Sequence, residues 1–171
     1  MISKAQAKFI KSLQLKKHRK VEKAFVVEGK KSVLEVLYSK YTVKLLLGTT
    51  SFFDENPITE SIMCEEVSMT DLGKIGAFRS NDSALAVVEI PNDPSLQMDQ
   101  NAYTLVLDSI NDPGNLGTLL RIADWYGIVN IVASLDTTDL YNPKVIAASK
   151  GSFTRINVFY QDLKEFLGNI D

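Results

Sequence analysis

The sequence predicts an α/β fold organised as two α/β domains with mostly parallel sheets. Short apolar, β-favouring runs alternate with stretches whose apolar residues recur at helical spacing, the pattern of strands joined by helices. The alternation breaks at PNDPSLQMDQN (91–101), where Pro91, Pro94 and a run of amides and acids leave little to bury, and then restarts. The 171 residues are 45% hydrophobic and 23% charged. That composition argues against disorder, collagen-like repeats and coiled coil, and the length allows one domain or two small ones.

In the first unit (1–90), Ser3 caps a helix running to about residue 15, with Ala5, Phe9, Ile10 and Leu13 on its apolar side. KKHRKVEK (16–23) reads as a polar connector. AFVVEG (24–29) is a buried strand, 31–39 a helix with Val33, Leu34, Val36 and Leu37 inward, and VKLLLG (43–48) a second strand. IMCEEV (62–67) is a third, more polar strand. Ser68 opens a helix to about residue 77 with Asp71 at the capping-box position, and ALAVVEI (84–90) is a fourth strand. Residues 91–101 form the linker. Beyond it come strand 103–108, helix 116–126, strand 129–134, a helix from Pro143 to about residue 150, strand 156–159 and a helix from Asp162.

Composition excludes several classes of function. Cys64 is the single cysteine, so no internal disulfide forms, and no Cys/His cluster offers a metal site. No apolar run approaches the ~20 residues needed to span a bilayer, so no membrane partner is expected. The N-terminus has basic residues but no apolar core of a secretory signal, and a reducing, cytoplasmic location is expected. The net charge of -2 hides an asymmetry: residues 1–31 carry ten basic and two acidic side chains, +8, against -10 for the rest. A basic end on an acidic body is the footprint of a protein that meets a polyanion, and Lys16, Lys17, Arg19 and Lys20 are its densest cluster. A solvated basic helix face is the alternative. His18, inside that cluster, reads as exposed, and Cys64 as a core or half-buried thiol.

The chemistry concentrates in LDSINDPGNLGTLLRIADWYGI (107–128). A strand ends at Asp108, a polar loop passes through Pro113 and Gly114, and Asn115 is expected to cap the helix that follows. A glycine-bearing turn between strand and helix N-terminus is a ready ligand site. Leu116, Leu119, Leu120, Ile122, Ala123 and Tyr126 surround Arg121, so the helix is expected to be largely buried. Arg121 stands four residues after Gly117 and would lean over that bare glycine toward the loop. An ion pair with Asp124 or Asp108 is the structural alternative. Gly114, Gly117 and Asp136 leave a nucleotide-binding oxidoreductase open as a weaker reading.

DSINDPGNLGTLLRIADWYGI resembles motif 1 of the SpoU/TrmH class of RNA 2′-O-ribose methyltransferases, in the SPOUT superfamily; its Asn-x-Gly-x-x-x-Arg spacing falls on Asn115, Gly117 and Arg121. FVVEGKKSVLEVL (25–37) is similar to that family's N-terminal substrate-binding domain, which is built like certain RNA-binding ribosomal proteins. LAVVEIP (85–91) matches the end of that domain, and DLYNPKVIAASKGSFTRINV (139–158) resembles the segment that follows motif 1. The resemblance implies that residues 102–171 are the front part of an α/β-knot methyltransferase domain. Methyl would pass from S-adenosylmethionine to a ribose 2′-hydroxyl of ribosomal or transfer RNA, and the full-length enzyme would be a homodimer. Arg121 would inherit the activation of the hydroxyl and Asn115 the shaping of the site. Asn142, Lys144, Ser149, Lys150 and Ser152 fall where the family lines its RNA-facing surface, and Arg79, with Asn81 and Ser83, sits in a loop suited to substrate contact. The family's motif 2 (Gly-x-Glu) and motif 3 (Ser-Leu-Asn) do not occur before Asn169-Ile170-Asp171. The resemblance therefore implies a truncated methyltransferase domain, a cofactor pocket to which no residue can be assigned, and a chain inactive by itself. A non-catalytic RNA-binding protein is the alternative.

Overall fold

The computed structural model describes residues 2–58, 62–92, 96, 99 and 101–170. The chain divides into two compact units, Met1–Pro91 with Tyr141–Pro143, and Asn92–Leu140 with Lys144–Asp171. Residues 93–95, 97, 98 and 100 of the expected linker lie outside the described residues.

The first unit is built on strands β1 (Ala24–Glu28), β2 (Val43–Gly48), β3 (Cys64–Glu66) and β4 (Ala84–Glu89), in spatial order β1-β4-β2-β3. Ala24, Val26, Leu45, Leu47, Leu85 and Val87 share a core with Ile10 and Leu13 on one side and Leu72 and Ile75 of α5 (Met69–Ile75). Phe25, Val27, Leu46, Ala86 and Val88, the alternate residues, are buried as well. A sheet covered on both faces needs continuous apolar strands, which is why these runs were legible. α1 (Lys4–Ser12) packs on α5, while α3 (Lys30–Leu37) packs on β1 and β4 and buries Val33 and Val36. Each such side chain contributes roughly 1.5–3 kcal/mol.

Strand direction in this sheet was not legible. β4 runs antiparallel to both β1 and β2, and only β2 and β3 are parallel. Alternation of helix and strand reveals that a strand exists, but not that it inserts between two earlier ones against their direction. Two helices were also missed. Residues expected as a polar connector form α2 (Lys16–Glu22), and α4 (Thr50–Glu55) follows β2 under a Thr49 cap that accepts from the Phe52 amide. Neither has an apolar periodicity to announce it, since the buried residue is Arg19 in α2 and Phe52 alone in α4. Cys64 is exposed on the edge strand β3 rather than half-buried.

The second unit has a wholly parallel sheet, β5 (Thr104–Leu107), β6 (Asn130–Ser134) and β7 (Asn157–Gln161), with β6 central. Counting both sheets, three of the five strand pairings are parallel. Helix α6 (Pro113–Trp125) follows β5, α7 (Pro143–Ser149) and a 3-10 turn (Ser152–Thr154) precede β7, and α8 (Leu163–Gly168) starts from an Asp162 cap. Leu107, Leu116, Leu120, Ala123, Ile131, Ala133, Val145, Ile146 and Phe153 form the core.

α6 begins three residues before the expected 116. Asp112 is its N-cap, accepting from the Asn115 amide at 2.8 Å, and Pro113 takes the first turn, where its missing N–H costs nothing. Gly117 is buried against α7: a Cβ there would lie 2.4 Å from Ala148 Cβ and 3.0 Å from the Ser149 nitrogen. Gly117→Ala should therefore lower the melting temperature of the protein. Overpacking costs about 1–3 kcal/mol, against the ~1 kcal/mol an alanine gains as a helix former. Adding Ala148→Gly should recover part of the loss in a double-mutant cycle followed by thermal melts; additive effects would show that the two residues do not meet.

Candidate catalytic face on helix α6

One face of α6 is open. Leu116, Gly117, Leu120 and Ala123 are buried, whereas Asn115, Thr118, Arg121, Ile122, Trp125 and Tyr126 are exposed. At 3.6 residues per turn the exposed set covers one contiguous side, with Thr118 near its centre, Arg121 at one edge, and Asn115 toward the other, about 120° from Arg121. The expectation of a largely buried helix is thus corrected: Ile122, Trp125 and Tyr126 face outward among Asn115, Thr118 and Arg121, so the exposed side is mixed and no clean polar face marks it in the sequence. Asn115 is not the cap but the third residue of the helix, its side chain freed because Asp112 does the capping. The glycine one turn before Arg121 is not bare, since Ala148 covers Gly117. Nor is Arg121 in the ion pair considered as the alternative. Asp124 is taken by Arg155, and among the described residues Arg121 pairs with no carboxylate. Thr118, whose hydroxyl donates to the Gly114 carbonyl at 2.9 Å, stands between the two predicted site residues and was missed.

The loop that carries the chain from β5 into α6 is braced against the loop after β6. Ser109 sits at φ 53, a left-handed conformation that few residues other than glycine adopt. Its amide donates to Ser134 Oγ at 2.8 Å and its hydroxyl reaches Asp136 Oδ2 at 2.9 Å. The Ile110 amide donates to Thr137 Oγ1, and the Thr138 amide donates to the Ile110 carbonyl at 2.8 Å. Hydrogen bonds to Asp136 from the Ser134 and Ser109 side chains hold its carboxyl below the usual range. Asp136, which left the nucleotide-binding reading open, ties the two loops together. Tyr160 fixes the same loop from β7, donating to the Thr138 carbonyl and accepting from the Leu140 amide, both at 2.7 Å. Burial, then the charge of Asp139, pushes its phenol well up.

Comparison with known proteins identifies the scaffold. Residues 102–171 match the SpoU rRNA Methylase family, and residues 4–86 match the MRM3-like substrate binding domain. The chain carries a SpoU methylase domain. It is 28% identical over 160 residues to the 23S rRNA (guanosine(2553)-2'-O)-methyltransferase of Bacillus subtilis, covering 94% of this chain and 63% of that protein. A solved TrmH-family structure from Porphyromonas gingivalis superimposes with a TM-score of 0.89 at 33% identity, over 98% of this chain and 66% of that one. The SpoU methyltransferase AviRb from Streptomyces viridochromogenes, solved with AdoMet, shares the fold at a TM-score of 0.82 and 20% identity, over 97% of this chain and 66% of that one. The chain spans about two-thirds of the length of these relatives.

In this chain the predicted RNA contacts separate into two groups. Lys16, Lys17, Lys20, Arg79, Lys144 and Lys150 are exposed. Arg19 is not: it is 3% exposed, and its Nη1 donates to the Leu13 and Gln14 carbonyls at 2.8 and 2.9 Å. Ser149, Ser152 and Asn81 are buried too, with Ser149 bonded to the Ile146 carbonyl and Asn81 to the Ala84 carbonyl. The loop carrying Arg79 is held by Glu28, which accepts from the Ala77 amide at 2.7 Å and more weakly from Phe78. Burial pushes the Glu28 carboxyl up, against these hydrogen bonds. Gly76 lets it approach, since a Cβ there would lie 2.2 Å from Glu28 Oε2.

The C-terminal end of α6 is clamped by Arg155, whose Nε and Nη2 donate to Asp124 Oδ1 and Oδ2 at 2.9 and 2.8 Å. Hydrogen bonding to Arg155 holds the Asp124 carboxyl below its ordinary value of 3.8. A depressed carboxyl stabilises the fold above its unfolded pKa, and that stability is lost as pH falls through the folded one. Asp124→Asn should cost about 0.5–1 kcal/mol at neutral pH, the fork being half exposed. Below pH 3.8 wild type and variant should converge, as read by melting temperature against pH. A constant offset down to the most acid pH would remove the ion pair from the account.

Proposed function

We propose that the protein methylates RNA, transferring a methyl group from S-adenosylmethionine to a ribose 2′-hydroxyl, with ribosomal RNA as the favoured substrate. The observation that carries this reading is Arg121: a permanent cation on the open face of α6 that also carries Thr118 and Asn115, in ion pair with no described carboxylate. The match of residues 102–171 to the SpoU rRNA Methylase family and likeness to a 23S rRNA 2'-O-methyltransferase support the reaction class.

A ribose hydroxyl is a weak nucleophile that must be oriented and relieved of its proton. Arg121 is too basic to take that proton at neutral pH. Its guanidinium instead grips the hydroxyl and a neighbouring phosphate in one planar fork, stabilising the oxygen as negative charge develops, while water or the phosphate accepts the proton. Asn115 supplies a second polar grip from the other side of the face. S-adenosylmethionine, when bound, supplies an electrophilic methyl group. In the loops at the carboxyl edge of β5 and β6, the Ser109, Ile110 and Thr138 amides are already used between the two loops. Self-association into a homodimer is part of the same proposal, supported by Ile122, Trp125 and Tyr126 standing 47%, 85% and 74% exposed on α6.

Arg121→Ala should reduce methyl transfer from labelled S-adenosylmethionine to ribosomal RNA by about 10²–10³-fold. Its melting temperature should stay near wild type, because alanine is a good helix former and no described ion pair is broken. Arg121→Lys should restore little, one ammonium being unable to hold two oxygens in a plane. An Arg121→Ala protein that melts early while its folded fraction turns over normally would make Arg121 scaffold and overturn the reading.

A further inference from the structure

The basic cluster of the first unit rests on a buried guanidinium. α2 has little stability of its own. It is seven residues long, Leu15 at its N-cap offers no side-chain hydrogen bond, and Lys16 and Lys17 stand in its first turn against the positive pole of the helix dipole. It also lacks an apolar anchor. Leu15 and Val21 are 54% and 76% exposed, and the buried residue of the helix is Arg19. Arg19 donates to the Leu13 carbonyl, at the C-cap of α1, and to the next carbonyl, Gln14, so its charge meets the negative pole of α1. Lys17 and Lys20 project elsewhere around the helix and are exposed, as is Lys16.

We infer that Arg19 is a positioning residue for polyanion binding: buried itself, it holds α2 as a helix and so presents Lys16, Lys17 and Lys20 to RNA phosphates as a preorganised row. The inference rests on the RNA reading above and adds to it a division of labour among four neighbouring cations. Three meet phosphate and the fourth orders them. Without Arg19 the lysines still reach phosphate, but the segment must be ordered at the moment of binding, which weakens affinity without changing the number of phosphates neutralised.

The two roles separate in a salt titration. Binding of a short single-stranded oligoribonucleotide of mixed sequence is measured across a salt series for wild type, Arg19→Gln, Arg19→Lys and the double variant Lys17→Gln/Lys20→Gln. The double variant should lower the slope of log affinity against log salt by roughly 1.4, two single-strand phosphate contacts. Arg19→Gln should keep the wild-type slope and lose about tenfold in affinity at every salt, the cost of ordering a few residues. Hydrogen exchange should show amides of α2 losing protection while those of β1 and β4 keep theirs. Arg19→Lys, which keeps charge and much of the reach, should recover part of the affinity, and it carries the comparison if Arg19→Gln unfolds the unit. A slope that falls for either Arg19 variant would make Arg19 a phosphate contact and overturn the proposal. So would unchanged affinity alongside lost protection in α2. Wild type failing to bind the oligonucleotide, or a double variant with an unchanged slope, overturns the RNA reading of this surface itself.

Discussion

Helix α6 can turn a working face outward because its opposite side closes on α7 without an intervening side chain. Gly117 is the point of contact, with room there for a hydrogen but not a methyl group. Leu116, Leu120 and Ala123 fill the rest of the buried side. Rotating the helix to relieve a clash at residue 117 would swing Asn115, Thr118 and Arg121 together, since they share one rigid element. The glycine therefore acts on the site through orientation, and the positions that carry chemistry are held by a residue with no side chain.

Orientation also depends on where the helix starts and stops. At its start, Asp112 and Pro113 set the first turn, and the loop behind them is tied through Ser109 and Ile110 to Ser134 and Thr137. At its far end Asp124 is gripped by Arg155 beyond the 3-10 turn. The interior of this frame obeys ordinary rules: among the described residues no buried side-chain polar atom lacks a partner. Ser109 departs from them by taking a left-handed conformation without being glycine, and it does so at the strand end where its amide and hydroxyl both find acceptors. The strain is offset locally, as expected for a loop whose shape matters to the helix it launches.

The strands were legible because a sheet buried on both faces demands unbroken apolar runs, and the α/β class followed from their alternation with helices. The direction of β4 was hidden, since apolarity carries no arrow. α2 was hidden for a different reason: its inward residue is Arg19, and a periodicity argument that counts apolar residues cannot see a helix anchored by a cation. The same blindness placed Arg19 among the exposed contacts. On α6 the error ran the other way. Ile122, Trp125 and Tyr126 look like core, yet they face outward, so the helix was read as buried and Arg121 as a buried charge in need of a partner. The motif spacing singled out Asn115 and Arg121, but not that they flank Thr118 on one face.

Both errors point to the same division in this molecule. Where local preference and burial disagree, the disagreement lies at a surface. Lys16 and Lys17 oppose the dipole of their own helix, and Trp125 is 85% exposed on a helix that buries leucines on its other side. A stability-seeking sequence would put an acid in the first turn of α2 and polar residues on the outer face of α6. Each departure costs a little stability and gains a surface that water alone does not explain, a row of cations on one element and exposed apolar side chains beside polar ones on the other. The proposed chemistry uses both, because a polyanionic substrate must be held by charge while its reacting hydroxyl is oriented at a single cation. Arg121 shares the outer side of α6 with Ile122 and Trp125, and a guanidinium held on a rigid helix can meet an oxygen where negative charge develops without first having to be ordered.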